Sequence, residues 1–275
     1  MTYRTYGPLR YDPYKVFRKS KTPVGLYARQ KWLNEADAPV WQRDFDEQTT
    51  GLFEGQSADG SWGRSVRETV RRLFGLHLTV RHPDPQIDTA LEWLVGKILQ
   101  TSGQRHAKGK GPLKPQEVVG LPFTTGSRAS FEIAAALFLA SIFQKAQDPR
   151  VMNGYACLGE RMFKKGERSC GWASFSNYLR ALVVHPQYHK RRITRRAVLV
   201  LAGVQSPDGR WPKRLPFYQN INALAHLDFK EARDQLIPAF DTLVNTQSRD
   251  GTWGRADREW NTFLVVHALR NKGIF

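Results

Sequence analysis

The chain has 275 residues, of which 41% are hydrophobic and 12% aromatic, enough for one large domain or two small ones with a buried core. No apolar run could cross a bilayer and the first eight residues hold no apolar signal core, so we expect a cytoplasmic protein. Two cysteines give no disulfide framework, and the net charge of +17 predicts an anionic partner or surface unless the basic surface serves only solubility.

In chain order, the sequence predicts an N-terminal arm and then a series of helices. Residues 1–22 are rich in Tyr, Pro, Lys and Arg without a clear period, which predicts an arm lying on the body of the protein. From residue 23 onward, apolar residues at helical spacing and boundaries at Pro, Ser and Gly predict about eleven helices. Their predicted spans are 23–34, 38–54, 65–80, 86–100, 127–144, 148–164, 174–184, 192–204, 215–227, 230–246 and 257–270.

These helices are predicted to alternate between an inner and an outer layer. Residues 127–144 are apolar nearly all round, which is typical of a buried inner helix. Five further helices are assigned to the inner layer by the alternation, and six inner helices would be enough to close a ring. The inner helices begin near Pro23, Ser65, Ser127, Ser174, Leu215 and Asp257.

A basic insertion interrupts the regular order at about 101–126. It places basic side chains among Gly and Pro, where a regular period would have put another copy of the repeated turn described below. Long loops of this kind serve as lids or binding loops, or else are disordered. The basic residues are Arg105, His106, Lys108, Lys110 and Lys114.

A short pattern, Q-S-x-D-G-x-W, occurs three times, at 56–62, 205–211 and 247–253, with a degenerate fourth copy ending at Gly171-Trp172. Asp-Gly forms a tight turn, because Gly accepts positive φ and Asp bonds its own backbone. The Gln reaches backbone groups of a neighbouring segment, and the Trp buries a large ring whose N–H needs a partner. The pattern therefore predicts an internal repeat.

This pattern resembles the QW motif of the terpenoid cyclase and protein prenyltransferase superfamily, which includes squalene-hopene cyclase. The resemblance covers about residues 39–275. It implies an all-α fold, an α/α toroid in which about six inner helices surrounded by outer helices enclose a central cavity. It also implies that residues 23–275 form a single domain. Because the motif is structural, it identifies the architecture but not the reaction.

The catalytic motifs of that superfamily are missing. Class II cyclases use D-x-D-D-T-A, and the nearest match, Asp44 to Thr49, has Glu at the fourth position, so that Asp46 is a weak candidate acid. The D-D-x-x-D magnesium motif is absent, and the zinc ligand set is broken before Cys170. Further potential ligands are scattered, and we expect no metal or cofactor. They are Cys157, His185, His189 and His267.

The repeats also suggest where ligands could bind. Trp62 and Trp253 are each followed by Arg-x-x-Arg-Glu, which makes Arg67 and Arg258 candidate anion-binding residues at the cavity rim. Their recurrence with the turn favours a structural role. Glu132, in the apolar inner helix, is a second candidate acid, because a buried carboxyl there needs a partner. Polar and aromatic residues that do not follow the repeat are expected to line the cavity: Asn177, Tyr178, Tyr218, Asn222, Trp260 and Asn261.

Three functions fit these observations. The first is a divergent or non-catalytic cyclase-like protein that binds an isoprenoid or another apolar ligand, with or without an anionic head, in contact with a membrane surface or in solution. The second is a lyase or hydrolase of acidic polysaccharides that uses Asn177, Tyr178, Arg180 and His185. The third is a nucleic-acid-binding module, which no motif supports, using basic clusters. The clusters are Lys164–Arg168, Lys190–Arg196 and Lys108–Lys114.

Overall fold

The computed structural model describes residues 9–80, 82, 84–99, 111–165 and 167–274. Most of these residues are helical, and none of the described helices is long and apolar enough to cross a membrane. The helices are α1 (Pro23–Lys31), α2 (Pro39–Phe53), α3 (Val66–Thr79), α4 (Pro85–Leu99), α5 (Arg128–Ile142), α6 (Pro149–Ala156), α7 (Leu158–Met162), α8 (Trp172–Val184), α9 (Arg192–Ala202), α10 (Phe217–Ala225), α11 (Lys230–Thr246) and α12 (Arg258–Asn271). Of the basic insertion, only the part from residue 111 onward lies within the described residues.

One predicted helix is replaced by three shorter elements. Residues 148–164 form α6 and α7, and they end in a two-stranded antiparallel sheet of β1 (Phe163–Lys164) and β2 (Glu167–Arg168). Lys165 has a φ of 47°, which turns the chain back between the strands. The described residues are therefore mostly helical, which is consistent with the predicted all-α class, and they include one small two-stranded sheet.

Side-chain caps set the beginnings of several helices. Ser65 and Ser127 accept hydrogen bonds from the backbone N–H groups of Glu68 and Ser130, which fixes the first turns of α3 and α5. Thr22 does the same for α1. Because such caps act over three residues, the sequence predicts these boundaries well.

The described chain divides into two compact units. Unit 1 comes from residues 1–42 and 190–275, where α1 and α10 pack on α12 and α9 packs on α11. Unit 2 comes from residues 43–189, where α3 and α8 pack on α5, and α4 packs on both α3 and α5. Residues 130–141 of α5 are all buried, as predicted for an inner helix. Closure of the inner helices into one ring stays a prediction.

The three Q-S-x-D-G-x-W turns have equivalent hydrogen bonds. In each turn the Gln side chain donates one hydrogen bond to the carbonyl of the turn Gly. It donates a second hydrogen bond to a carbonyl that is distant in the sequence. The Nε1 of the Trp donates to a carbonyl at the end of the preceding helix. At the third turn, the second carbonyl belongs to the N-terminal segment rather than to a helix. The second carbonyls are those of Gln86, Gln235 and Tyr11, bound by Gln56, Gln205 and Gln247 at 2.9 Å each. The carbonyls bound by Trp62, Trp211 and Trp253 are those of Glu54, Leu201 and Leu243.

The degenerate fourth copy differs from the other three. Trp172 is the first residue of α8, whereas Trp62 and Trp253 lie four and five residues before their helices. The guanidinium of Arg168, in β2, lies over the Trp172 ring at 4.0 Å from its centroid. A cation over an aromatic face therefore caps this tryptophan.

Candidate functional site

A layer of aromatic rings lies on α1 and α12 of unit 1, and we call Tyr27, Trp32, Trp260 and Phe263 the aromatic wall. Phe263 stacks between two indoles, with its centroid 5.2 Å from that of Trp32 and 5.5 Å from that of Trp260. Tyr27 meets Phe263 edge-on at 5.3 Å. Phe263 and Trp260 are 5% and 6% exposed, whereas Tyr27 and Trp32 are only half-buried. The wall is therefore a packed aromatic surface in which Trp260 and Phe263 are buried, while Tyr27 and Trp32 remain partly exposed.

The wall ends at a polar cluster around His267, one turn farther along α12 than Phe263. The imidazole centroid lies 5.7 Å from that of Phe263 and 5.4 Å from that of His226. The Nδ2 atoms of Asn222 and Asn271 each lie 3.3 Å from Nδ1 of His267. Two amide side chains therefore lie against the same nitrogen of this imidazole.

The other residues of unit 1 that the sequence predicts to bind a ligand or an anion lie near the turn before α12. Asn261 donates a hydrogen bond of 2.8 Å to the carbonyl of Ala256 and so supports the start of the helix. Tyr218 is half-buried, and burial raises the pKa of its hydroxyl while Arg210 acts against that shift. Arg258 pairs with Asp250 of the turn at 2.8 Å, a contact that serves structure.

In unit 2, residues 111–126 pack over the N-terminal ends of α3, α5 and α8. Arg67 forms an ion pair with Glu117, and Arg71 donates to the carbonyls of Val119 and Glu117 at 2.9 and 3.2 Å. Asn177 of α8 holds the same segment through its amide, which accepts from the N–H of Thr124 at 2.8 Å and donates to its carbonyl at 3.0 Å. The predicted anion-binding and cavity residues, Arg67 and Asn177, both bind this segment of the chain.

Beneath this segment, Glu132 of α5 is 8% exposed among apolar neighbours. Burial raises the pKa of its carboxyl, and the nearby guanidinium groups of Arg128 and Arg67 oppose the shift. Arg128 lies one helical turn before Glu132, and its Nε is buried without a hydrogen-bond partner in the part of the chain that the structure describes. A carboxyl group is costly to bury in such surroundings, and buried titratable groups of this kind are found in many functional sites.

The residues proposed for polysaccharide chemistry are buried or bound within the protein. Nδ1 of His185 accepts the backbone N–H groups of Gln187 and Tyr188 at 3.0 and 3.2 Å. Arg180 is 8% exposed and lies over the Phe138 ring at 5.5 Å, and burial lowers the pKa of its guanidinium to about 10. Burial also raises the pKa of Tyr178, which is 5% exposed. None of these groups is presented openly to a polymer.

The remaining candidates do not come together. Asp46 is exposed on α2. Cys157 and Cys170 are both half-buried, free thiols. Within the described ranges, no three His, Cys, Asp or Glu side chains are arranged to hold a metal ion.

A groove of about 620 Å³ lies in unit 2 beside Trp93 of α4. Its acidic groups are neutralised by neighbouring cations: Glu92 binds Arg150 at 2.5 Å and Asp88 pairs with Lys145 at 3.0 Å. Since its charges are balanced and exposed, we do not take it as the main site.

Replacing Asn177 with alanine is expected to release residues 111–126. The variant loses both hydrogen bonds to Thr124 and leaves the backbone N–H and carbonyl of Thr124 without this partner. The free energy that holds the segment in place should fall by about 1–3 kcal/mol. Hydrogen–deuterium exchange should then become faster across this segment. The exposed Asn153 of α6 is the matched control, and its alanine variant should exchange as the wild type does. Unchanged exchange in Asn177→Ala would show that the segment is held by other contacts.

The sequence pattern pointed to only one member of the aromatic wall, Trp260. Phe263 and His267 follow it at helical spacing, so an aromatic stripe at 260, 263 and 267 could have been noticed. Tyr27 and Trp32 had no such signal, because their neighbours on α12 are more than 200 residues away in the chain.

Comparisons with known proteins extend this picture. No family model matches the chain, and no curated protein sequence does. Among solved structures, a protein from Actinoplanes is 17% identical with a TM-score of 0.56, over 96% of this chain and 90% of that one. A variant of the type II terpene cyclase MstE from Scytonema, in complex with geranylgeranyl dihydroxybenzoate, is 12% identical with a TM-score of 0.56, over 98% and 91%. Unliganded MstE is 10% identical with a TM-score of 0.55, over 100% and 92%. The chain therefore has a terpene-cyclase-like fold.

Proposed function

We propose that this protein binds an isoprenoid, or another elongated apolar ligand, against the aromatic wall of α1 and α12. The observation that carries the proposal is the stack of Trp32, Phe263 and Trp260, whose outer members include a half-buried indole. Flat π faces pack well against the planar, methyl-branched double bonds of isoprenoid chains. The likeness in fold to a terpene cyclase that binds a geranylgeranyl compound supports the same ligand class.

Binding, rather than turnover, is the core of the proposal. The acid motif of class II cyclases has no full match in the sequence, and its nearest counterpart, Asp46, is exposed. Glu132 is the better candidate acid, because its carboxyl is buried and burial raises its pKa. We therefore propose a divergent member of the fold, either non-catalytic or using an acid outside the usual motif.

The two alternative functions have less support. The polysaccharide alternative loses two of its four candidate residues, because Asn177 and His185 are occupied by backbone hydrogen bonds. For the nucleic-acid alternative, Arg192, Arg195 and Arg196 are exposed on α9, although Arg195 pairs with Glu231 at 2.6 Å. That alternative predicts salt-dependent retention on heparin well above that on a neutral matrix.

The proposal is tested by titrating the protein with geranylgeraniol and following tryptophan fluorescence or heat. Trp32→Ala should weaken binding about tenfold, the equivalent of about 1.4 kcal/mol, because it removes one half-buried face of the wall. Trp93→Ala is the control, since Trp93 is also a half-buried indole and lies on α4 of the other unit. Absence of saturable binding, or equal loss in both variants, would refute the proposal.

A further inference from the structure

Residues 111–126, which we call the covering segment, lie against the N-terminal half of α5. Phe123 of this segment is 2% exposed, and its ring meets the rings of Phe131 and Phe138 edge-on. The centroids are 5.6 Å apart for Phe131 and 5.5 Å apart for Phe138. Glu132 is the next residue of α5 after Phe131. The segment therefore packs on the turn of α5 that carries Glu132.

The carboxyl group of Glu132 is buried without a partner. It is 8% exposed, and no hydrogen bond or ion pair joins it to the part of the chain that the structure describes. The charged groups that act on it are Arg128, on its own helix, and Arg67, on α3. Arg67 is already ion-paired with Glu117 of the covering segment. A negative charge on Glu132 is therefore costly while the segment stays in place.

Further charged and titratable side chains on the elements packed against α5 have contacts of their own. They are Glu68 with Arg72, Arg71 with the carbonyls of Glu117 and Val119, Asp88 with Lys145, Glu92 and Asp148 with Arg150, Tyr178 with Arg161, Arg180 with the Phe138 ring, and His77 with the Phe143 ring. Lys97 and Lys114 are exposed. The electrostatic balance at Glu132 is thus set by burial and by two guanidinium groups.

We infer that ionisation of Glu132 releases the covering segment, so that this end of unit 2 opens as the pH rises. Two responses relieve the buried charge, and both loosen the segment. Water reaches the carboxylate when the segment moves away, or the guanidinium of Arg67 turns to Glu132 and gives up Glu117. The device needs no ligand, so it goes beyond the proposed function and does not rest on it.

The direction of this pH dependence follows from the pKa of Glu132. Burial raises the pKa of the carboxyl group in the closed form, and Arg128 and Arg67 oppose the shift. In the open form water surrounds the group, and its pKa returns toward the ordinary value. The closed form therefore binds the proton more tightly. Its advantage is complete below the pKa of the open form and is lost as the pH rises through the pKa of the closed form.

Hydrogen–deuterium exchange from about pH 5 to about pH 8, corrected for the intrinsic exchange rate, measures this opening. In the wild type, protection of the covering segment should fall with rising pH, tenfold for each pH unit that separates the two pKa values. Glu132→Gln stays neutral, so its protection should not depend on pH. Glu160→Gln removes an exposed carboxyl group of α7 and should keep the wild-type profile. Constant protection in the wild type, or an equal fall in Glu132→Gln, would overturn the inference.

A reciprocal measurement keeps Glu132 in place. Because the two equilibria are linked, release of the segment should change the titration of Glu132. Carbon-13 NMR of the carboxyl group should give a lower pKa in Asn177→Ala, which loses both hydrogen bonds to Thr124, than in the wild type. The same pKa in both proteins would show that the segment does not bury the carboxyl group, which refutes the device. Neither measurement uses an isoprenoid, so its failure is distinct from failure of the proposed function.

Discussion

Replacing Trp253 with alanine is expected to destabilise the protein by about 3–5 kcal/mol, the range for deleting a large buried aromatic side chain. The Trp253 side chain is completely buried, and its Nε1 donates a 2.8 Å hydrogen bond to the carbonyl of Leu243 at the end of α11. The change leaves both a cavity and an unpaired carbonyl. The free energy of unfolding, measured by urea denaturation and followed by circular dichroism, provides the test.

Trp93→Ala is the matched control for this prediction. Trp93 is also an indole next to a Q-S-x-D-G-x-W turn, but it is half-buried on α4, so its truncation removes less buried area. Its loss of stability should be clearly smaller. If the two variants lost the same free energy, Trp253 would not be the structural anchor that we infer.

Gly60→Ala is expected to lower the free energy of unfolding by about 2–5 kcal/mol. The strain of a left-handed backbone and a steric overlap with α4 both contribute to this loss. Gly60 has a φ of +87°, a conformation that residues with a Cβ rarely adopt. An added Cβ would lie 2.5 Å from the carbonyl carbon of Thr89 and 2.8 Å from the amide nitrogen of Ala90. These are backbone atoms of α4 and cannot rotate away, so the helix would have to shift.

Gly63, three residues farther along the same turn, separates the two contributions. It has a φ of +58°, but an added Cβ would meet nothing within 4 Å. Gly63→Ala should therefore lose only the conformational part, about 1–2 kcal/mol. Thermal unfolding of both variants would measure the difference, and equal melting temperatures would show that contact with α4 does not matter.

The helices with strong local signals were predicted well from the sequence. The predicted span 127–144 becomes α5, Arg128–Ile142, with Ser127 as its cap, and the span 230–246 becomes α11. Caps and apolar spacing act within one or two turns, so the sequence contains what is needed to predict them. The span 148–164 was predicted as one helix, whereas the chain forms α6, α7 and the first strand of a hairpin there, with the interruption at Cys157.

The candidate site was only partly predictable. The sequence singled out Trp260 as a candidate cavity residue, which stays a prediction, but it gave no sign of its stack with Phe263 or of the stack of Phe263 with Trp32. Asn222 was predicted to line the cavity, and this stays a prediction; its amide lies against the Leu264 carbonyl and against His267, a residue that the sequence offered only as a scattered potential metal ligand. Whether a polar side chain faces a ligand or the backbone depends on which segment packs against it, and composition does not reveal this.

The sequence by itself determined the three turns, because Gly and Asp shape the backbone of the turn itself and each Trp bonds a carbonyl only 8 or 10 residues back in the chain. Only the tertiary structure decided the tasks of the polar residues. Asn177 meets Thr124 at a separation of 53 residues, and Asn222 meets Leu264 at 42. Such contacts form only when whole helices pack, and their geometry is set by the summed fit of many side chains rather than by any local pattern.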